Sequence, residues 1–177
     1  MRIIDNDHER VGRWVFERCG GIYTRGDSVA IGLEKDGQLI GGVVYDHYNV
    51  QSVVMNVAGE GSWLNREFLW FAFYYPFEQM KVKKIIGLVD SSNLKAIRFD
   101  EHLGFQLEHR IVDGGQYGDQ LIYTMTKPQC RWLSYGNLRR TAIKSIPPSG
   151  PSVCEEGREQ RSRYPGLCRS GTSHCAG

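Results

Sequence analysis

Residues 84–105, KIIGLVDSSNLKAIRFDEHLGF, constrain this chain more than any other stretch. Residues 83–89 read as a strand whose stretch 85–89 is continuously apolar, as in an inner strand covered on both faces. Asp90-Ser91-Ser92-Asn93 then offers turn and capping side chains, and a segment of helical length, 94–103, follows. Gly104 permits the left-handed turn that ends a helix. Phe105 re-enters the core, and 105–111 and 119–125 read as two further strands. A strand, a crossover helix and returning strands require a sheet with helix laid against it.

The upstream half supplies the rest of that sheet. Residues 7–18 read as a short helix, with Val11, Trp14, Val15 and Arg18 on one face, Asp7 as cap and Gly20-Gly21 as its end. The β-rich runs 29–34 and 39–45 flank Lys35-Asp36-Gly37-Gln38, whose Asp-Gly pair is a hairpin signal. Residues 51–58 form a third strand, and Gly59-Glu60-Gly61-Ser62 a loop. Residues 64–80 have the length of a helix; seven of the ten residues 68–77 are aromatic, which calls for burial on two sides. Pro76 should kink or shorten it. The expected fold class is α/β (α+β): a mixed, mostly antiparallel central sheet flanked by helices.

Composition divides the 177 residues near position 134. Residues 1–133 carry 15 Lys+Arg against 17 Asp+Glu, whereas 134–177 carry 7 against 3, with 4 of the 6 prolines and no Phe or Trp. The reading is a folded domain over 1–133 and a basic, Ser/Gly/Pro-rich tail over 134–177 that lacks a packed core and is dispensable for folding. The 41% hydrophobic and 24% charged content excludes collagen-like, wholly disordered and polytopic membrane classes. The most apolar run, 68–77, is too short for a membrane span, which needs about 20 residues. Met1 to Asp7 is polar and acidic, without the apolar core of a secretory signal, so the expected location is cytoplasmic. The 5 cysteines form no C-x-x-C pair and are expected as free thiols. Cys154, Cys168, His174 and Cys175 lack the paired spacing of a zinc site, and no metal is expected. No Ser-His-Asp spacing, P-loop or H-E-x-x-H is present.

Asn93, Ala96, Gly104 and Phe105, at spacings of 0, 3, 11 and 12, resemble the second conserved half of the GNAT N-acetyltransferase superfamily. The order of elements over roughly residues 3–127 resembles that family as well. The resemblance implies acetyl-CoA as co-substrate and a small-molecule or peptide amine as acceptor that attacks the thioester directly. It implies that backbone at Val57 and Ala58 polarises the carbonyl. Gly59, Gly61 and Ser62 would cradle the pyrophosphate at a helix start, with Ser62 or Asn65 as cap and Arg66 as countercharge. Asn93 would either cap its helix or contact the cofactor across the cleft, and Phe99 is placed with the cofactor-binding residues.

Two departures matter. The family usually has a Tyr seven residues after the Asn, positioned to protonate the leaving thiolate; here it is Asp100. A carboxylate donates a proton at neutral pH only if burial raises its pKa. Asp100 is therefore that donor, a base, or a solvated residue beside Glu101. The glycine signature of the pyrophosphate loop is also incomplete. Asn56 stands where a Glu often serves as base and cannot replace it. His47, in the strand-end run Asp46-His47-Tyr48-Asn49, is the second acid/base candidate.

The runs 58–89, RFDEHLGF and CRWL resemble GNAT-like proteins of bacteriophages and prophages, a branch related to the Mom proteins that modify adenine in phage DNA. That implies a nucleobase acceptor, with phosphate contacts from the basic tail, as an alternative to an ordinary amine. A non-catalytic CoA-binding or interaction module is the alternative from another class, motivated by the missing Tyr and glycines. A homodimer is also compatible with the family resemblance.

Overall fold

The structure, a computed structural model, describes residues 1–138. Its strands are β1 (Arg2–Ile4), β2 (Val29–Lys35), β3 (Gln38–Asp46), β4 (Ser52–Gly59), β5 (Lys84–Asp90), β6 (Gln106–Ile111) and β7 (Gln120–Thr126), and its α-helices α1 (His8–Cys19), α2 (Arg66–Tyr74) and α3 (Leu94–Leu103). The strands form one 7-stranded sheet in the order β1-β2-β3-β4-β5-β7-β6. All neighbours are antiparallel except β4 and β5, which the α2 crossover makes parallel. This is the expected mixed sheet.

Local chemistry explains the element ends. Asp7 accepts the Arg10 N–H at the start of α1. Asp36 and Gly37 both hold positive φ, 51° and 81°, the twist that a two-residue hairpin between β2 and β3 needs. The helix expected over 64–80 is shorter at both ends. Asn65 caps it by accepting the Phe68 N–H at 2.8 Å, so Trp63 and Leu64 stay outside. Beyond Tyr74 the backbone widens into a π-turn, Tyr75–Gln79, around Pro76.

Pro76 has no N–H to offer Ala72 four residues earlier. The buried Tyr45 hydroxyl donates to that Ala72 carbonyl instead, at 2.5 Å. Tyr45→Phe orphans the carbonyl and is expected to cost about 1–3 kcal/mol, measured by denaturant unfolding; an unchanged midpoint would show that the carbonyl finds another donor.

The sheet is covered on both faces. α1 packs on one, closing a cluster of Ile4, Val11, Val15, Ala30, Leu39, Val44 and Ala58. The larger cluster on the other face gathers Phe68, Phe71 and Phe73 of α2, Leu103 of α3, and Val53, Ile85 and Met125 of the sheet.

Two elements went beyond the sequence reading. β1 was not expected: three residues carry no periodicity. After β7 a helical turn, Arg131–Leu138, crosses the compositional boundary at 133/134. Its first residues close the C-terminal end of α3: Trp132 Nε1 donates to the Leu103 carbonyl at 2.8 Å, and Arg131 to the His102 carbonyl. Residues 139–177, with Cys154, Cys168, His174 and Cys175, lie outside the described residues. Among the described residues no helix is long and apolar enough to cross a membrane, and no cluster of side chains could hold a metal.

Candidate active site

The site begins where the sheet opens. β4 and β5 pair at only three positions, Ser52↔Lys84, Val53↔Ile85 and Val54↔Ile86. β4 then continues to Gly59 alongside β3, and β5 continues to Asp90 alongside β7. The two strands therefore diverge after Val54 and Ile86 and leave a slot between them.

Hydrogen-bond alternation decides which β4 groups face that slot. The Glu60 N–H donates to the Ile40 carbonyl at 2.8 Å. With Ala58 opposite Gly42 and Asn56 opposite Val44, the even-numbered residues bond to β3. Val57 thus turns its N–H and carbonyl toward the slot. Its carbonyl accepts from the Cys19 thiol at the end of α1, at 3.2 Å. Burial pushes that thiol's pKa up, which keeps it a donor. Of the expected pair, Val57 turns its N–H toward the slot. Ala58 does not: its N–H belongs to the β3 ladder and its side chain to the α1 cluster.

Asp100 is not a solvated helix residue. It sits half-buried on the inner side of α3, over Gly87, the first β5 residue past the last pairing with β4. A Cβ on Gly87 would lie 3.2 Å from Asp100 Oδ2, so the glycine makes room for the carboxyl. Burial, and secondarily the Glu101 charge, raise the Asp100 pKa to about 7. Glu101 itself accepts from the Tyr123 hydroxyl at 3.1 Å. Helical spacing thus brings a carboxyl with a raised pKa over β5 at the row where β4 and β5 part, on the α2/α3 face.

Asn93 is the N-cap of α3: its Oδ1 accepts the Ala96 N–H at 3.1 Å. Asn93→Ala is expected to cost about 1 kcal/mol and to lower Tm by about 2–4 °C in calorimetry; an unchanged Tm would show that the cap is dispensable.

Gly59 belongs to β4 rather than to a loop. It faces Gly41 across the strands, and the Trp63 indole lies flat on this glycine pair. Trp63 also meets Phe68 at 6.0 Å and Phe99 of α3 at 5.8 Å, centroid to centroid. Phe99 therefore packs against the aromatic bridge between β4 and α3. Trp63 was missed, although glycines inside two neighbouring strands signal a close approach.

The expected phosphate cradle is reduced to exposed Gly61, at φ 59°, exposed Ser62, and Arg66 at the first position of α2. Glu67 stands in the same first turn, and Glu60 pairs with Arg18 at 2.8 Å. A thioester in the slot would meet the Val57 N–H on the β4 side and the Asp100 carboxyl over Gly87 on the β5 side. The anionic end of acetyl-CoA meets two carboxylates and fits less well.

On the opposite face, Asp46 ends β3 opposite Val54, with β4 between it and the slot. Its Oδ2 accepts from Asn56 Nδ2 at 3.0 Å and its Oδ1 contacts His47 Nδ1 at 2.8 Å. The structure so places His47 and Asn56 on one carboxylate, a pairing not expected from the sequence.

No protein-family model matches the chain, and no curated protein does. Solved structures do. A point mutant of the spermidine N-acetyltransferase SpeG from Vibrio cholerae superposes with a TM-score of 0.59 at 17% identity, over 77% of this chain and 99% of that one. Mutant forms of the same organism's spermidine/spermine N-acetyltransferase SpeG give 0.52 at 22% identity, over 63% of this chain and 72% of that one. The fold is that of the GNAT N-acetyltransferases.

Proposed function

We propose that this chain is an acetyl-CoA-dependent N-acetyltransferase in which Asp100 protonates the departing thiolate. The observation that carries this reading is the half-buried carboxyl with a pKa of about 7, held over Gly87 where β4 and β5 part. A group that titrates near neutral pH is protonated often enough to donate and returns readily to that form. The Val57 N–H supplies the hydrogen bond to the thioester oxygen. Arg66 and the start of α2 hold the pyrophosphate, Phe99 and Trp63 line the arm of the cofactor, and Asn93 fixes the start of α3. Much of the rate comes from holding amine and thioester in line.

The acceptor is a small-molecule or peptide amine. The SpeG neighbours, which share the fold, are spermidine acetyltransferases. Among the described residues no feature favours a nucleobase acceptor.

The test is thiol release from acetyl-CoA by the full chain against a panel of spermidine, a lysine peptide and deoxyadenosine, with calorimetric titration of acetyl-CoA alongside. Amine-dependent thiol release with acetylated amine in the product is expected. No acetyl-CoA binding would overturn the reading. Binding without transfer to any acceptor would leave a non-catalytic module, and transfer to deoxyadenosine alone would make it a nucleobase-modifying enzyme.

A further inference from the structure

We infer that the acceptor is a monoamine with an apolar body, of the arylalkyl amine class, and that this body lies on an uncovered strip of the sheet beside the slot. The inference rests on the acetyltransfer reading and names its substrate class.

Register builds the strip. On the face that carries α1, the covered cluster extends across the sheet as far as Ala58 of β4. On β5, Ile86 shares this face with Val54, and Leu88 follows two residues on. Leu88 pairs with Ile122 of β7, Ile122 pairs with His109 of β6, and Ile111 lies two residues further along β6. Neighbouring strands are about 4.8 Å apart, so the strip reaches about 10 Å from β5 to β6.

Leu88 is 51% exposed and Ile111 45%, while Ile86 and Ile122 are half-buried between them. A single exposed leucine is ordinary on a protein surface. These side chains are neighbours, however, and they lead to the slot: Leu88 is the first residue on this face beyond the last β4–β5 pair. Contiguous apolar surface running into a site is what a ligand with an apolar body covers. On the β4 side of the slot stands the end of α1, where the Cys19 thiol reaches the Val57 carbonyl at 3.2 Å. Asp100 occupies the opposite face over Gly87, which leaves the α1 face to the amine.

Charge selects the body. Across β3 to β7, register puts three carboxylates on this face, Asp46, Asp90 and Glu108. All are turned to internal donors. Asp46 accepts from Asn56 Nδ2 and contacts the His47 ring. Asp90 accepts the Ser92 N–H and hydroxyl on one oxygen and the Tyr117 N–H on the other. Glu108 takes Lys84 Nζ on both oxygens and the Thr124 hydroxyl on one. A polyamine brings several ammonium groups, each of which needs a partner when it leaves water. An apolar body needs none, and burying it against Leu88 and Ile122 is favourable by itself.

The experiment gives the full chain acetyl-CoA with either 2-phenylethylamine or spermidine. It reads kcat/KM from thiol release and identifies the acetylated amine by mass spectrometry. The unaltered chain is expected to favour 2-phenylethylamine about 10- to 100-fold. Leu88→Ala should cut that ratio about tenfold, through the KM for the amine. Leu88→Glu, which puts a carboxylate at the slot end of the strip, should bring the ratio to one or below. If Leu88→Glu does not fold, Leu88→Ala decides by itself. A ratio of one or less in the unaltered chain overturns the inference and leaves acetyltransfer standing. A ratio that Leu88→Ala does not move overturns it as well, and a lower mass of Leu88→Glu in light scattering would then give the strip to a second copy. Acetylation of no amine removes the acetyltransfer reading and this inference with it.

Discussion

Asp100→Asn is expected to remove most turnover and, above neutral pH, to raise the melting temperature. The two effects have one cause. α3 carries the carboxyl into a half-buried position over Gly87, where its charge is poorly solvated and faces Glu101, so its pKa stands at about 7 rather than 3.8. In the unfolded chain the proton leaves first. Between the two pKa values the folded state therefore binds more protons, and stability falls as pH rises from about 4 through 7. The full penalty, present at pH 8, has an upper bound of roughly 4 kcal/mol, from about three pKa units at 1.36 kcal/mol each. Asparagine has the same shape and no charge, so Tm at pH 8 should rise by several degrees while Tm at pH 4 barely moves.

Asparagine also cannot give up a proton at the thiolate. kcat should fall about 10²- to 10⁴-fold with acetyl-CoA affinity nearly constant, the pattern of an interaction made only in the transition state. The unaltered chain should lose kcat as pH rises through about 7, the side on which Asp100 is deprotonated. Full activity in Asp100→Asn would remove Asp100 from the chemistry, and an unchanged pH 8 melting temperature would place its carboxyl in solvent.

The parts of this fold that rest on local chemistry were readable in advance. α3 begins after Asn93 and ends before Gly104 as expected, because the cap is a side-chain hydrogen bond and the stop is a residue at φ 106°. The β2–β3 hairpin follows from Asp36-Gly37 for the same reason. α2 starts two residues later than expected because Asn65 caps it by accepting the Phe68 N–H.

The slot itself was not readable. That β4 and β5 part after three pairs depends on what each strand bonds to on its other side. The inward turn of Val57 rather than Ala58 is a matter of register. The Asp46–His47–Asn56 contact joins residues ten positions apart across two strands. Asp100 was readable as a position, from its spacing to Asn93, but not as an acid near neutrality. Burial sets that property, and nothing in Asp100-Glu101 distinguishes a covered helix face from a wet one.

The second large effect concerns the indole that bridges β4 and α3. Trp63 rests on Gly41 and Gly59, with atoms 2.8 Å and 2.0 Å from where the Cβ atoms would be, and reaches Phe99 on α3. Trp63→Ala removes a large half-buried ring and leaves its site open, which should cost about 2–4 kcal/mol, below the full range for a completely buried aromatic. Gly59→Ala should cost a similar amount for a different reason. Gly59 has ordinary strand backbone and tolerates alanine by itself, but a methyl 2.0 Å from the indole forces the ring off the sheet. The two costs are therefore one loss counted twice. In the Trp63→Ala background Gly59→Ala should be nearly free, or slightly stabilising through the lost flexibility of glycine in a strand. Urea unfolding of the four chains should give a coupling of about 2–3 kcal/mol, with a red-shifted tryptophan emission in Gly59→Ala. Additive costs would mean that Trp63 and Gly59 act independently and that the ring does not rest on the glycine pair. Because the same ring reaches α3 through Phe99, the single variants should also lower the pKa of Asp100 by loosening its cover. The descending limb of kcat would then move to lower pH in both, while Gly59→Ala in the Trp63→Ala background would shift it no further.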